Sequence, residues 1–152
     1  MNVLFLHQNF PGQFKHLAPA LARDEGHRVV ALHVNPVQPM AGVQTVAVTQ
    51  VAPSSKDVHR WVTGFESKVI RGEATYGAAR QLKSEGFTPD VMIAHPGWGE
   101  SLFLKDLWPS VPLGLYCEYH YNAFGADVNF DPEFGFEEEA ACRLRVKNAI
   151  MD

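Results

Sequence analysis

Four histidines each follow a short, largely apolar run, and this repeated pairing constrains the fold more than any other feature of the chain. The runs and the histidines that end them are Val3–Leu6 with His7, Val29–Leu32 with His33, Val91–Ala94 with His95, and Leu113–Tyr119 with His120. Continuous apolar runs of this length are typical of parallel strands that are buried on both faces. If they belong to one sheet, the four imidazoles meet at its carboxyl edge, where open α/β sheets bind their ligands.

The segments between the runs predict an α/β fold with a doubly wound, mainly parallel Rossmann-like sheet. Asn2–Leu6 is followed by a turn at Gln8–Gly12, by apolar residues at helical spacing over 14–22 and by a second strand at His27–Leu32. This order forms a βαβ unit, whose crossover is right-handed. Val43–Val51 is rich in β-branched residues and supplies a third strand.

The predicted strand order is 3-2-1-4-5, which makes the first and fourth strands neighbours at the topological switch point. Gly12 and His95 follow these two strands, so this order brings them together. Helical character returns over 57–84, where three glycines predict two helices with a break, and over 100–108, where Pro109 ends the helix. Pro19 kinks the first helix or shifts its start.

Composition narrows the class of protein. The chain has 152 residues, of which 46% are hydrophobic and 20% charged, and this fits one globular domain. A net charge of −4 disfavours nucleic-acid binding, which needs clustered Lys and Arg. No apolar run reaches the ~20 residues of a membrane span. No basic segment precedes the first strand as it would in a secretory signal, so we expect a cytoplasmic protein.

Two loops are candidates for ligand binding. In Gln8–Gly12, a glycine lets backbone N–H groups approach a phosphate, but GxGxxG and GxxxxGK[ST] motifs are absent, and an ordinary turn explains the glycine as well. His95–Ser101 combines two glycines with an indole that can cover an apolar sugar or base face, and its histidine is placed to hydrogen-bond a ligand. The alternative for this second loop is a tight turn in which the histidine caps backbone groups.

Other chemistries are less well supported. The histidines come from separate strands without HxxxH or HExxH spacing, which disfavours a metal site, and the GxSxG motif of a serine hydrolase is absent. Residues 118–139 hold seven acidic residues, several aromatic ones and no Lys or Arg. This segment predicts a long functional loop or an interaction surface. Its carboxylates are more typical of a solvated acidic surface than of a glycosidase pair.

Six segments, taken in their order along the chain, carry a family resemblance. They are Asn2–Leu6 with the Pro-Gly loop after it, Phe14–Leu17, Gly26–Val29, Asp90–His95, His95–Phe103 and Tyr116–His120. In this order and spacing they resemble a family 4 glycosyltransferase of the GT-B fold, and the last two most resemble its Gkz-like subgroup. The resemblance covers nearly the whole chain.

The resemblance implies a retaining, metal-independent transfer of a sugar from a nucleotide-sugar donor to a polysaccharide, lipid-linked or other glycan acceptor. No cofactor is implied besides the nucleotide-sugar as co-substrate. Residues 1–152 correspond to the N-terminal, acceptor-side domain, while the C-terminal donor-binding domain is absent from this chain. We therefore expect the chain alone to be inactive. A lipid-linked acceptor would bring it to a membrane surface without a transmembrane segment.

The resemblance also implies roles for individual residues. Gly12 lies against the donor diphosphate, and His95 is the catalytic residue, which reaches the transferred sugar. Five further residues are substrate-binding candidates because they follow predicted strands: Gln8, Asn9, Trp98, Glu118 and His120.

Two other functions stay open at this point. The chain can be a stand-alone, flavodoxin-like binding module whose contact surface is the acidic and aromatic segment 118–139. It can also belong to a GT-B relative such as a nucleotide-sugar epimerase, which shares the architecture but needs no acceptor.

Overall fold

A parallel sheet forms the centre of the domain. The computed structural model describes residues 1–49, 51–118, 121–122, 125, 131, 133 and 138–149. Within them the sheet has five strands: β1 (Asn2–Leu6), β2 (Arg28–His33), β3 (Val43–Ala47), β4 (Val91–Ala94) and β5 (Leu113–Leu115). Their order is β3-β2-β1-β4-β5 and every neighbouring pair is parallel. The predicted α/β class and strand order are therefore confirmed.

Helices cover the sheet. The described helices are α1 (Leu17–Ala22), α2 (Thr63–Ser84), α3 (Leu104–Leu107) and α4 (Glu138–Asn148), with 3₁₀ turns at Gly12–Phe14 and Pro96–Trp98. Because α1 begins at Leu17, Pro19 lies in its first turn, where its missing N–H removes no intrahelical hydrogen bond. No helix in the described ranges is long and apolar enough to cross a membrane.

Alternate residues of the central strands enter two separate cores. Leu4 and Leu6 of β1 pack with Ala79 and Leu82 of α2, whereas Phe5, between them, packs on the other face of the sheet. This alternation is the two-residue period of a strand. Helix α2 therefore lies across one face, and its N-terminal half extends towards the carboxyl edge of the sheet.

The predicted break within 57–84 is wrong, because α2 is one continuous helix. Gly72 faces a neighbouring segment so closely that a Cβ there would lie 2.9 Å from the carbonyl oxygen of Gly99 and 3.0 Å from the ring of Phe103. Gly64 and Gly77 face open space. An interior glycine costs a helix about 1 kcal/mol, which packing against the sheet outweighs here.

The predicted helix over 100–108 is shorter than expected. Gly99 adopts φ +98°, a left-handed conformation that interrupts helical hydrogen bonding, and regular helix returns only at Leu104–Leu107. A Cβ on Gly99 would also overlap the backbone carbonyl of Lys68 in α2. The third and fifth strands likewise end earlier than predicted, at Ala47 and Leu115.

Glu100 is an unusual member of the interior. Its side chain is 3% exposed, and neither carboxyl oxygen has a hydrogen-bond partner among the described residues. Burial disfavours the charged form and raises the pKa of Glu100 to about 7, a shift that its own backbone N–H and then the nearby Arg71 charge oppose only in part. The fold therefore favours a neutral carboxyl at this position.

Replacing Gly99 tests the contact between its turn and α2. We expect Gly99→Ala to lower the free energy of unfolding by about 2–4 kcal/mol, since it adds both backbone strain and overlap with Lys68. Gly86→Ala is the control, because Gly86 has φ +88° but open space around it, so only strain is added. Urea unfolding measures both, and equal losses in the two variants would show that the contact contributes nothing.

Neutralising Glu100 tests its buried charge. Between its ordinary pKa of 4.5 and about 7, the folded protein binds more protons at Glu100 than the unfolded chain does. The free energy of unfolding therefore falls as pH rises through this range, by up to about 3 kcal/mol. Glu100→Gln should remove this fall and stabilise the protein above pH 7, as measured by urea unfolding at several pH values. Glu73→Gln, on the exposed side of α2, should keep the wild-type slope. A steep slope that survives in Glu100→Gln would contradict the assignment.

Candidate active site

Two of the four strand-end histidines lie side by side. β1 and β4 are neighbours, with Leu6 paired to Ala94, so the residues that follow them emerge at the same edge. The ring centroids of His7 and His95 are 5.2 Å apart, and the two residues are 6% and 8% exposed. The prediction that imidazoles meet at the carboxyl edge therefore holds for this pair. His33 instead hydrogen-bonds the backbone carbonyl of Asn35 through Nδ1, at 2.8 Å.

Hydrogen bonds fix the orientation of His7. Its Nδ1 accepts from the backbone N–H of Asn9 at 3.0 Å, so in the neutral ring the proton is on Nε2. Nε2 then donates to Oε1 of Gln13 at 2.6 Å. Burial lowers the pKa of His7, and the hydrogen bond with Gln13 opposes this only in part. The surroundings of His7 therefore favour the neutral imidazole as a donor.

His95 is held in the same way. Its Nδ1 accepts from the backbone N–H of Gly97 at 3.2 Å, which leaves the proton of the neutral ring on Nε2. Nε2 donates to Oε2 of Glu118 at 3.1 Å. Gly97 lies directly against this ring, since a Cβ there would be 2.8 Å from Cε1 of His95. His95 therefore caps the turn, as the alternative interpretation of this loop predicts, and it also lies at the site.

Glu118 joins the two histidines into one network. Its Oε1 accepts from Nε2 of Gln13 at 2.5 Å, and its Oε2 accepts from His95. The bond from Gln13 and then the bond from His95 lower the pKa of Glu118, because both stabilise the carboxylate. The arrangement is a hydrogen-bonded path from His7 through Gln13 and Glu118 to His95.

This network forms one part of the wall of a cavity of about 510 Å³. The lining residues come from the segments that follow β1, β4 and β5, from α2 and from α4: His7, Asn9, Gln13, Gly64, Ser67, Lys68, Arg71, His95, Pro96, Gly97, Trp98, Glu118, Tyr121 and Lys147. The indole of Trp98 is 41% exposed and is therefore accessible to a ligand. A volume of this size suits a small-molecule site.

The structure brings together four of the seven residues predicted for the site: Asn9, His95, Trp98 and Glu118 line the cavity. Gln8 does not line it, and its backbone carbonyl accepts from Val34 and Asn35. Gly12 does not line it either; it has φ +46° and lies so close to the imidazole of His7 that no side chain fits. His120 and most of the segment 118–139 lie outside the described residues.

Three cations on the cavity wall are not among the residues predicted for the site from the sequence. Lys68 and Arg71 extend from α2, and Lys147 extends from α4. A signal for Lys68 existed, because it follows Trp61 and Phe65 at the spacing of the apolar face of a helix. Across the described ranges, no group of three His, Cys, Asp or Glu side chains is arranged to hold a metal ion.

Comparison with known proteins gives a family and a fold. The family model described as "Glycosyl transferase family 4 group" matches residues 25–152. No curated protein matches the chain.

Among solved structures, apo UGT2 of Phytolacca americana is similar, with a TM-score of 0.58 and 14% sequence identity. The match covers 98% of this chain and 42% of that one, so this chain spans less than half of the plant protein. At this identity the likeness shows the fold alone. The family match, however, extends over most of the sequence, and the chain belongs to the glycosyl transferase family 4 group.

Proposed function

We propose that this chain is the acceptor-side half of a retaining glycosyltransferase that moves a sugar from a nucleotide-sugar donor to a polysaccharide, lipid-linked or other glycan acceptor. Membership of the glycosyl transferase family 4 group supports sugar transfer. The observation that carries the proposal is the pair His7 and His95 at the switch point of the sheet, on the wall of a cavity of about 510 Å³.

In this proposal His95 is the catalytic residue and acts as a hydrogen-bond donor to the transferred sugar. Its Nε2 proton, now directed to Glu118, is placed at the cavity wall, where a sugar hydroxyl can replace the carboxylate as its partner. The bond from the backbone of Gly97 keeps the ring in that tautomer. A hydrogen-bond donor that is held in place before the sugar binds needs little reorganisation during the reaction.

Trp98, Asn9 and Glu118 bind the sugars. The exposed indole of Trp98 presents a flat apolar surface, which suits the C–H face of a pyranose ring. The carboxylate of Glu118 accepts hydrogen bonds, and sugar hydroxyls donate them. Gly12, whose missing side chain accommodates the His7 ring, is proposed to lie against the donor diphosphate. Gln8 and His120 remain candidates for the cleft lining.

The other half of the reaction centre is proposed to come from a C-terminal donor-binding domain. A GT-B enzyme closes two Rossmann-like domains around the nucleotide-sugar, and this chain supplies one such domain. Transfer then needs no metal and no cofactor beyond the nucleotide-sugar. The isolated chain of 152 residues is proposed to be inactive for this reason.

Substitution of His95 tests the catalytic role in the complete enzyme. We expect His95→Ala to lower kcat/KM for sugar transfer by about 10²- to 10³-fold, because it removes the hydrogen bond that the imidazole donates to the transferred sugar. The melting temperature should stay close to that of the wild type. His33→Ala is the matched control, since His33 also lies at the carboxyl end of a strand, β2, but does not line the cavity.

The assay follows the glycosylated product, the released nucleotide and the anomeric configuration. Wild-type turnover by His95→Ala would reject its role, and an inverted product would reject the retaining mechanism. Conversion of the nucleotide-sugar to an isomer without any acceptor would favour an epimerase instead.

A further inference from the structure

Three cationic side chains line the candidate site, and none of them is paired with a carboxylate of the described residues. Lys68 and Arg71 lie one turn apart on α2, and Lys147 lies on α4, which packs against α2. In the part of the chain that the structure describes, none of the three takes part in an ion pair. The histidine and glutamate network on the same wall does not use them.

Lys68 is the most informative of the three. The residue is only 6% exposed and lines the cavity, while its ammonium keeps some accessible surface and has no hydrogen bond or ion pair with any described residue. Burial, followed by the charges of Lys147 and Arg71, lowers the pKa of Lys68. Even partial burial of an unpaired charge is costly, and a bound anion would reduce that cost.

Arg71 and Lys147 are held by aromatic faces rather than by acids. The guanidinium carbon of Arg71 lies 5.6 Å from the centre of the Trp98 ring, and Nζ of Lys147 lies 3.7 Å from the centre of the Tyr121 ring. Cation–π contacts position a cation while leaving N–H donors for another ligand. A guanidinium in particular can donate two parallel hydrogen bonds to a phosphate.

We propose that Lys68, Arg71 and Lys147 form an anion-binding subsite that takes a phosphate group carried by a substrate. Three cations on one wall carry more positive charge than a single carboxylate would neutralise. A phosphate monoester matches them better, because it has a charge near −2 and three acceptor oxygens. That the phosphate belongs to a substrate rests on the proposed function. Its source is either a phosphorylated acceptor or the diphosphate of the donor.

Direct binding measurements separate these sources. The chain is titrated with inorganic phosphate, a hexose monophosphate and a nucleoside diphosphate, at constant ionic strength set with chloride, and binding is followed by calorimetry and by amide chemical shifts. We expect saturable binding that weakens about 10- to 100-fold in Lys68→Met, as for loss of a hydrogen bond to a charged group. Arg71→Gln should weaken it similarly, and Arg80→Gln, exposed on the same helix and remote from the cavity, should not.

A second measurement separates binding from folding. Because Lys68→Met removes a partly buried charge that has no partner among the described residues, its melting temperature without anion should equal or exceed that of the wild type. If Lys68→Met does not fold, Lys147→Gln, at a half-buried position, takes its place in the binding assay.

Each outcome decides the proposal. If the wild type binds inorganic phosphate and the hexose monophosphate and the variants do not, the result supports the subsite and identifies a phosphorylated acceptor. Binding of the nucleoside diphosphate alone, lost in the same variants, supports the subsite and identifies the donor. No saturable binding, or equal binding by Lys68→Met, overturns it. None of these binding measurements requires turnover. Failure of sugar transfer would therefore reject the proposed function but leave the anion-binding result unchanged.

Discussion

Parallel pairing between β1 and β4 is the constraint on which the site depends. It joins two strands that are distant along the chain and makes their carboxyl ends neighbours, with Leu6 opposite Ala94. The residues that follow, His7 and His95, come into ring contact for this reason alone. The strands are held in register by the apolar residues on both faces, which form the two cores. A slip by one residue would exchange the two faces and separate the histidines.

The close approach of α2 to the turn after β4 completes the cavity. Gly72 and Gly99 permit this approach because neither carries a side chain at the contact. The same approach buries Lys68 and Glu100, both of which would be better solvated in water. The burial of these two ionisable side chains therefore makes this part of the domain less stable than apolar packing alone would make it. Such unfavourable burial is common where a protein binds a ligand.

Much of this arrangement could be predicted from the sequence, and the failures have physical causes. The strands and their order followed from apolar runs, helical spacing and the βαβ rule, and the meeting of His7 with His95 followed from that order. Local glycine propensity predicted a break in α2 because it does not include the tertiary contact made by Gly72. Lys68 could have been suspected from its place on an apolar helix face, whereas the bond from Gln13 to Glu118 joins residues 105 positions apart and has no local signal.

Under the proposed function, the path through Gln13 and Glu118 limits which sugar hydroxyls can bind at His95. Both imidazole Nε2 protons are already donated, one to an amide and one to a carboxylate. A hydroxyl entering at His95 must therefore exchange with Glu118, and the released carboxylate must find a new donor. A ligand that offers an acceptor and a donor on adjacent carbons satisfies both groups at once. A vicinal diol has this property, so under the proposed function we expect this wall to favour one relative configuration of two neighbouring hydroxyls.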